Sequence, residues 1–203
     1  ENVTNVLPKA KGNGLIMKNH GALCFGKDYE QTFEAAAQLE AACIAYLEKT
    51  FCECMETREY SDATLTKCVL KNHGIDADQL KPKKLSFELP ANMVLNDCLE
   101  AVALSNVNNI KLKPMVDDFA QIVGTKMRVV KNCQKDMEKA LKTADAVFIE
   151  GCGAVCAGSD AEAVSMIVEK NAKAYLWAKL HGKAKPINPL ECILMHTVYK
   201  MKY

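Results

Sequence analysis

Residues 14–30 read GLIMKNHGALCFGKDYE, and residues 146–162 read AVFIEGCGAVCAGSDAE. A constant offset of 132 aligns Gly21 with Gly153, Ala22 with Ala154, Cys24 with Cys156, Gly26 with Gly158, Asp28 with Asp160 and Glu30 with Glu162. An internal repeat of this kind constrains the architecture more than any single element does. In each copy four apolar or β-prone residues predict a buried strand, a three-residue link leads to a glycine, and a second short apolar strand follows. Gly21 and Gly153 supply the positive φ that so tight a reversal needs. Asp28, or Ser159 with Glu162 three residues later, is then placed to cap a helix.

The first helix is expected from about Tyr29 to Glu48, with Phe33, Ala36, Ala37, Ile44 and Leu47 as its apolar stripe. Glu40 falls on that stripe, either at the edge of the buried face or paired with a cation across an interface. The second helix is expected from about Ala161 to Leu180, with Val164, Ile167, Val168, Ala174, Tyr175 and Ala178 inward. Between the copies, 61–73 reads as a helix with Ser61 as N-cap and Gly74 past its end. A polar linker with Pro82 and Pro90 follows, from about 75 to 90. Helical patterns then appear near 93–104 and 115–123, a strand at 126–130 and a helix at 134–144, which together read as a three-layer α/β domain.

Composition narrows the function classes. The chain has 203 residues, 49% hydrophobic and 25% charged, with a formal net charge of +1. Without a basic excess or a basic run it does not suit a nucleic acid or a membrane surface. The Lys-rich stretches 81–84 and 182–185 read as solvated loops. No run approaches the roughly 18 apolar residues of a membrane span, and no signal peptide opens the chain. Glu1 stands first in place of Met, so further residues are expected to precede it. Ten cysteines at irregular spacings include no CxxC pair, which leaves a zinc ribbon or thioredoxin-like motif unsupported. Several lie in apolar runs, as free thiols of a reducing cytoplasm would. Cys52 and Cys54 are the pair that could bind a metal or form a strained disulfide.

The string Lys18-Asn19-His20-Gly21-Ala22-Leu23 with Gly26-Lys27-Asp28, running into an Ala-rich helix with Leu39 and Glu40, resembles the C-terminal signature of the class II aldolase/adducin family. The segment Ala101-Val102-Ala103-Leu104-Ser105, followed by residues 113–124, is similar to the part of that family after its metal-binding His-x-His pair. Two such units in series are therefore expected: residues 1–58 as the C-terminal part of a first, and 59–203 as a second, degenerate domain. The resemblance implies an α/β/α sandwich with a mostly antiparallel central sheet. It implies a divalent metal, usually zinc, held by three histidines, and a cyclic tetramer with active sites between subunits. Such a metal polarises a hydroxyketone and stabilises an enediolate while a carboxylate moves the proton.

Carried over residue by residue, the resemblance assigns one metal ligand, His20. In the second copy Cys152 stands at the ligand position, and Leu95 and Asp97 fall where the His-x-His pair would be. His73, in its own Lys71-Asn72-His73-Gly74 string, reads as a helix terminus, and His181 with Gly182 reads as the end of the last helix. The catalytic carboxylate is not assigned, and the remaining ligands are expected before Glu1 or on another polypeptide. The function implied is retro-aldol cleavage of a sugar phosphate. The alternatives are a non-catalytic, adducin-like scaffold, or an epimerase, dehydratase or decarboxylase of the same family. Association with copies of itself, or with an absent N-terminal segment, is expected.

Overall fold

The computed structural model describes residues 3–51, 62–107, 111–182 and 185–202. The chain divides into two compact units, Glu1–Ser61 and Asp62–Tyr203. In the first, a short helix α1 (Val3–Val6) precedes strands β1 (Gly14–Met17) and β2 (Gly21–Cys24), and helix α2 spans Tyr29–Phe51. In the second the order is α3 (Asp62–Asn72), β3 (Val94–Asn96), α4 (Leu99–Ser105), β4 (Lys111–Leu112), α5 (Asp117–Ile122) and β5 (Met127–Val130). It continues with α6 (Gln134–Leu141), β6 (Ala146–Ile149), β7 (Gly153–Cys156), α7 (Ala161–His181) and α8 (Pro189–Lys202).

The five strands of the second unit lie in the order β3-β7-β6-β5-β4. Only β5 and β6 run parallel; the other three pairings are antiparallel. Because side chains alternate across a strand, the fully buried β6 and β7 supply two cores. Val147, Ile149 and Val155 face Met137 and Ala140 of α6, with Leu85, Phe87 and Leu89 packed alongside. The alternate residues Ala146, Phe148, Ala154 and Cys156, also buried, face the side of the sheet covered by α4 and α7, which pack on these strands. The result is the expected sandwich with a mostly antiparallel sheet.

The two hairpins share one register. Gly14 pairs with Cys24 and Met17 with Gly21; Ala146 pairs with Cys156 and Ile149 with Gly153. The connecting turns also match. His20 N donates to Met17 O at 3.1 Å and Cys152 N to Ile149 O at 2.9 Å. Positive φ falls on Asn19 (65°) and Gly151 (76°), then on Gly21 (102°) and Gly153 (119°). The helix caps repeat as well. Asp28 Oδ1 accepts Gln31 N at 2.8 Å, and Asp160 Oδ1 accepts Ala163 N at 2.9 Å. The cap of the second copy is thus Asp160, not Ser159, because a carboxylate two residues after Gly158 reaches the free amide of the first turn.

Several other sequence expectations are corrected. The run 93–104 is not one helix: β3 occupies its start, and Asn96 Oδ1 accepts Cys98 N at 3.1 Å, turning the chain before α4 begins. The segment 75–90 is not a free polar linker. Its alternation of half-buried Leu85, Phe87 and Leu89 with exposed Ser86 and Glu88 lays it across the α6 face. Asn132 clamps it, accepting Ser86 N at 3.0 Å and donating to Lys84 O at 2.9 Å. The inner face of α2 carries Ala35 and Leu39 with Ile44 and Leu47, while Phe33 is 57% exposed and stacks on Tyr29; Ala36, Ala37 and Glu40 are exposed. On α7 the buried line is Val164, Val168, Ala172 and Leu176, joined by Ser165 and Asn171. Helix α7 is not the last, since α8 follows and packs on α5 through Cys192 and Met195 against Ala120. Ser61, Cys52 and Cys54 lie outside the described residues.

Candidate functional site

His20 is positioned by the β1–β2 turn. The Met17–His20 hydrogen bond closes the turn, and Asn19 takes the left-handed conformation that Asn adopts more readily than bulkier residues. The imidazole is therefore carried on a short two-strand frame, exposed to solvent, beside an open groove of about 670 Å³ lined by Val3, Val6, Leu15, Met17 and Lys18. Among the described residues no group of three or more His, Cys, Asp and Glu side chains could hold a metal ion.

At the matching turn of the second unit the mapped positions do converge. Leu95 pairs with Val155 across the β3–β7 ladder and packs against the cluster that contains Cys152. A Cβ on Gly153 would overlap the carbonyl oxygen of Asn96 and come within 3.1 Å of Asp97 Cα. The backbone of 95–97 and the 151–153 turn are thus in close contact. The chemistry there is apolar: Cys152 is fully buried, with Sγ at 3.8 Å from Lys84 O and 3.7 Å from Glu150 O. Burial pushes its thiol pKa up, partly offset by the nearby Lys83 ammonium. An isobutyl group and a protonated thiol offer a metal nothing it can use.

Two of the remaining histidines tie helices together. His73 ends α3, as expected, and its Nε2 lies 2.9 Å from Leu176 O, tying α3 to α7. His196 Nδ1 lies 2.6 Å from Gln121 O, tying α8 to α5. His181 is the last residue of α7. Sequence reasoning missed the buried polar residues of α7 and α4. Asn171 accepts Met115 N at 2.7 Å and donates to Lys113 O at 3.1 Å, fixing the loop before α5. Glu100, buried on α4, accepts a 2.5 Å hydrogen bond from Thr66 of α3. Their signal was polarity at a helix position that periodicity places inward. Cys98 and Cys156, the latter fully buried, have thiols raised to about 12, chiefly by desolvation. The described cysteines are all free, and no described helix is long and apolar enough to cross a membrane.

Residues 1–47 match the family model described as Class II Aldolase and Adducin N-terminal domain. Among solved structures, an L-fuculose 1-phosphate aldolase is similar at 21% identity and a TM-score of 0.46, over 55% of this chain and 55% of that one. The chain therefore spans little more than half the length of that relative. No curated protein matches the chain.

Proposed function

Starting from a chain whose residues 1–47 carry a class II aldolase and adducin segment, we propose that the protein is a class II aldolase-like lyase. Its substrate is a sugar phosphate, and His20 is one ligand of a divalent metal, zinc in the first instance. The observation that carries this reading is the family match over the segment that holds His20 on a closed turn. A ligand imidazole needs a fixed direction, and a turn braced by two strands and a capped helix provides one. The described residues of this chain do not by themselves fit a metal, because no group of three or more His, Cys, Asp and Glu side chains forms among them. The further ligands and the catalytic carboxylate come from outside these residues. The same reading has the protein assembling as a homo-oligomer, a cyclic tetramer.

For the second unit, Asp62–Tyr203, the proposed role is structural: a degenerate aldolase-like domain. Two observations support it. Register, turn and cap repeat at the offset of 132, and Leu95 packs against the apolar cluster that holds the buried Cys152.

The test compares the natural gene product with its His20→Ala variant for retro-aldol cleavage of a panel of ketose 1-phosphates, with zinc content measured alongside. Loss of activity by at least about 100-fold, more than removal of an outer-shell partner costs, is expected. The 203-residue chain alone should hold less than one equivalent of zinc, since a single imidazole binds weakly. Stoichiometric zinc held only by ligands of this chain would refute the assignment, as would full activity of the His20→Ala variant.

A further inference from the structure

A second candidate site lies wholly within the second unit. A cleft of about 400 Å³ opens where β5 and β6 begin, walled by Thr125, Lys126 and Arg128, by Thr143 after α6, and by His196 and Thr197 of α8. None of the residues lining it is acidic. The nearest carboxylate in sequence, Asp145, is already engaged by Lys200 at 2.6 Å.

The strand register adds an independent observation. β4 and β5 pair so that Lys111 stands directly opposite Arg128 and Leu112 opposite Met127. Residues directly opposite in an antiparallel pair point to one face, and like charges there repel. Slippage cannot relieve the repulsion, because Leu112 and Met127 are buried and a one-residue shift would expose them. A continuous shallow surface beside Arg128 adds Lys131 and Lys139 against one carboxylate, Asp136. Among the described residues Lys111, Lys126 and Arg128 have no carboxylate partner. His196 spends Nδ1 on the Gln121 carbonyl, which leaves Nε2 as its second polar atom.

We infer that this cleft binds the phosphate group of a small phosphorylated molecule. A dianion placed at Arg128 relieves the fixed Lys111–Arg128 repulsion. Guanidinium donors match its oxygens two at a time. The Thr125 and Thr197 hydroxyls supply the short neutral donors that distinguish phosphate from a simple halide, whereas the Thr143 hydroxyl donates to Ala140 O. The volume, near the lower end of about 300–1,000 Å³ for ligand sites, admits a phosphate with a short carbon chain. The inference is independent of His20 and of any metal.

The experiment uses the metal-free 203-residue chain, labelled for amide NMR and titrated at constant ionic strength with inorganic phosphate and with glycerol phosphate. Saturable shifts are expected at 124–128, 143–147 and 196–197, with glycerol phosphate binding at least as well as the inorganic ion. Lys126→Gln with Arg128→Gln should weaken binding about tenfold or more, as loss of a charge-assisted pair does. Thr197→Val, on α8 and so away from the strands, should weaken it by a smaller factor. Lys81→Gln with Lys83→Gln removes the same charge elsewhere and should change affinity less than twofold. Unsaturable shifts, or equal weakening by both double variants, would overturn the site and leave only general charge attraction.

Discussion

Gly153→Ala is the substitution that most directly tests how the second turn is built. Its φ of +119° disfavours any L side chain, at about 1–3 kcal/mol. The new Cβ would also collide with Asn96 O and press on Asp97 Cα. Both are backbone atoms, so no side-chain rotation relieves the overlap and β3 must shift from β7. Loosening the Asn96 end of that ladder loses roughly one or two backbone hydrogen bonds, about 1–2 kcal/mol at their net worth. Gly158→Ala is the control: its φ is +113°, but the nearest atom to its Cβ is Asp145 Oδ1 at 3.9 Å. It therefore carries the conformational penalty without the collision. Trp177, the single tryptophan, lies on α7, so urea unfolding followed by its fluorescence reports on this unit. With a slope of about 2 kcal/mol per molar urea, the Gly153→Ala midpoint should fall about 0.5–1 M below that of Gly158→Ala. Equal midpoints would mean that 95–97 and 151–153 are not in contact, and the mapping of Leu95 and Asp97 onto this turn would fall with them.

Two further outcomes follow from the thiols. Cys152, buried with a raised pKa, should resist alkylation of the native protein at neutral pH, and Cys152→Ala should cost about 1 kcal/mol; rapid, selective labelling seen by peptide mapping would show an open, working pocket instead. Cys98 and Cys156 have folded-state pKa values of about 12, above their unfolded value, so the folded state favours the protonated thiols. Their contribution is complete below the unfolded pKa of about 8.5 and is lost as pH rises from there towards about 12. Thermal melts between these limits should show an alkaline decline that Cys98→Ala and Cys156→Ala each flatten, and an unchanged decline in both variants would contradict the burial.

What could be read from the residues tracks how local the determining physics is. The β1–β2 and β6–β7 hairpins were legible because a short apolar run, a glycine and a capping Asp lie within about 15 residues and act on one another directly. The strand β3 was not, because Val94–Asn96 is short and owes its state to β7, far along the chain. Two-residue β4 carries no periodicity at all. The strap at 85–89 did alternate with period two, but the neighbouring Lys and Pro residues masked that signal. The site divides in the same way. As a candidate, His20 can be named from its own turn, whereas the Lys111–Arg128 opposition exists only once a long-range register is formed.

The strap has a consequence for the direction in which this sequence can change. Leu85, Phe87 and Leu89 pack on the cluster around Cys152, joined from β3 by Leu95. An imidazole arriving at 152 would enter filled space, at a cost of about 1–3 kcal/mol for overpacking, and would gain no partner. One arriving at 95 would bury a polar ring among aliphatic neighbours with the same lack of return. Thinning the strap first would leave a void over the sheet. Each single step towards a metal-binding turn lowers stability before any coordination can compensate, so the steps are mutually dependent and their order is blocked. Packing in this way holds the second turn away from metal binding.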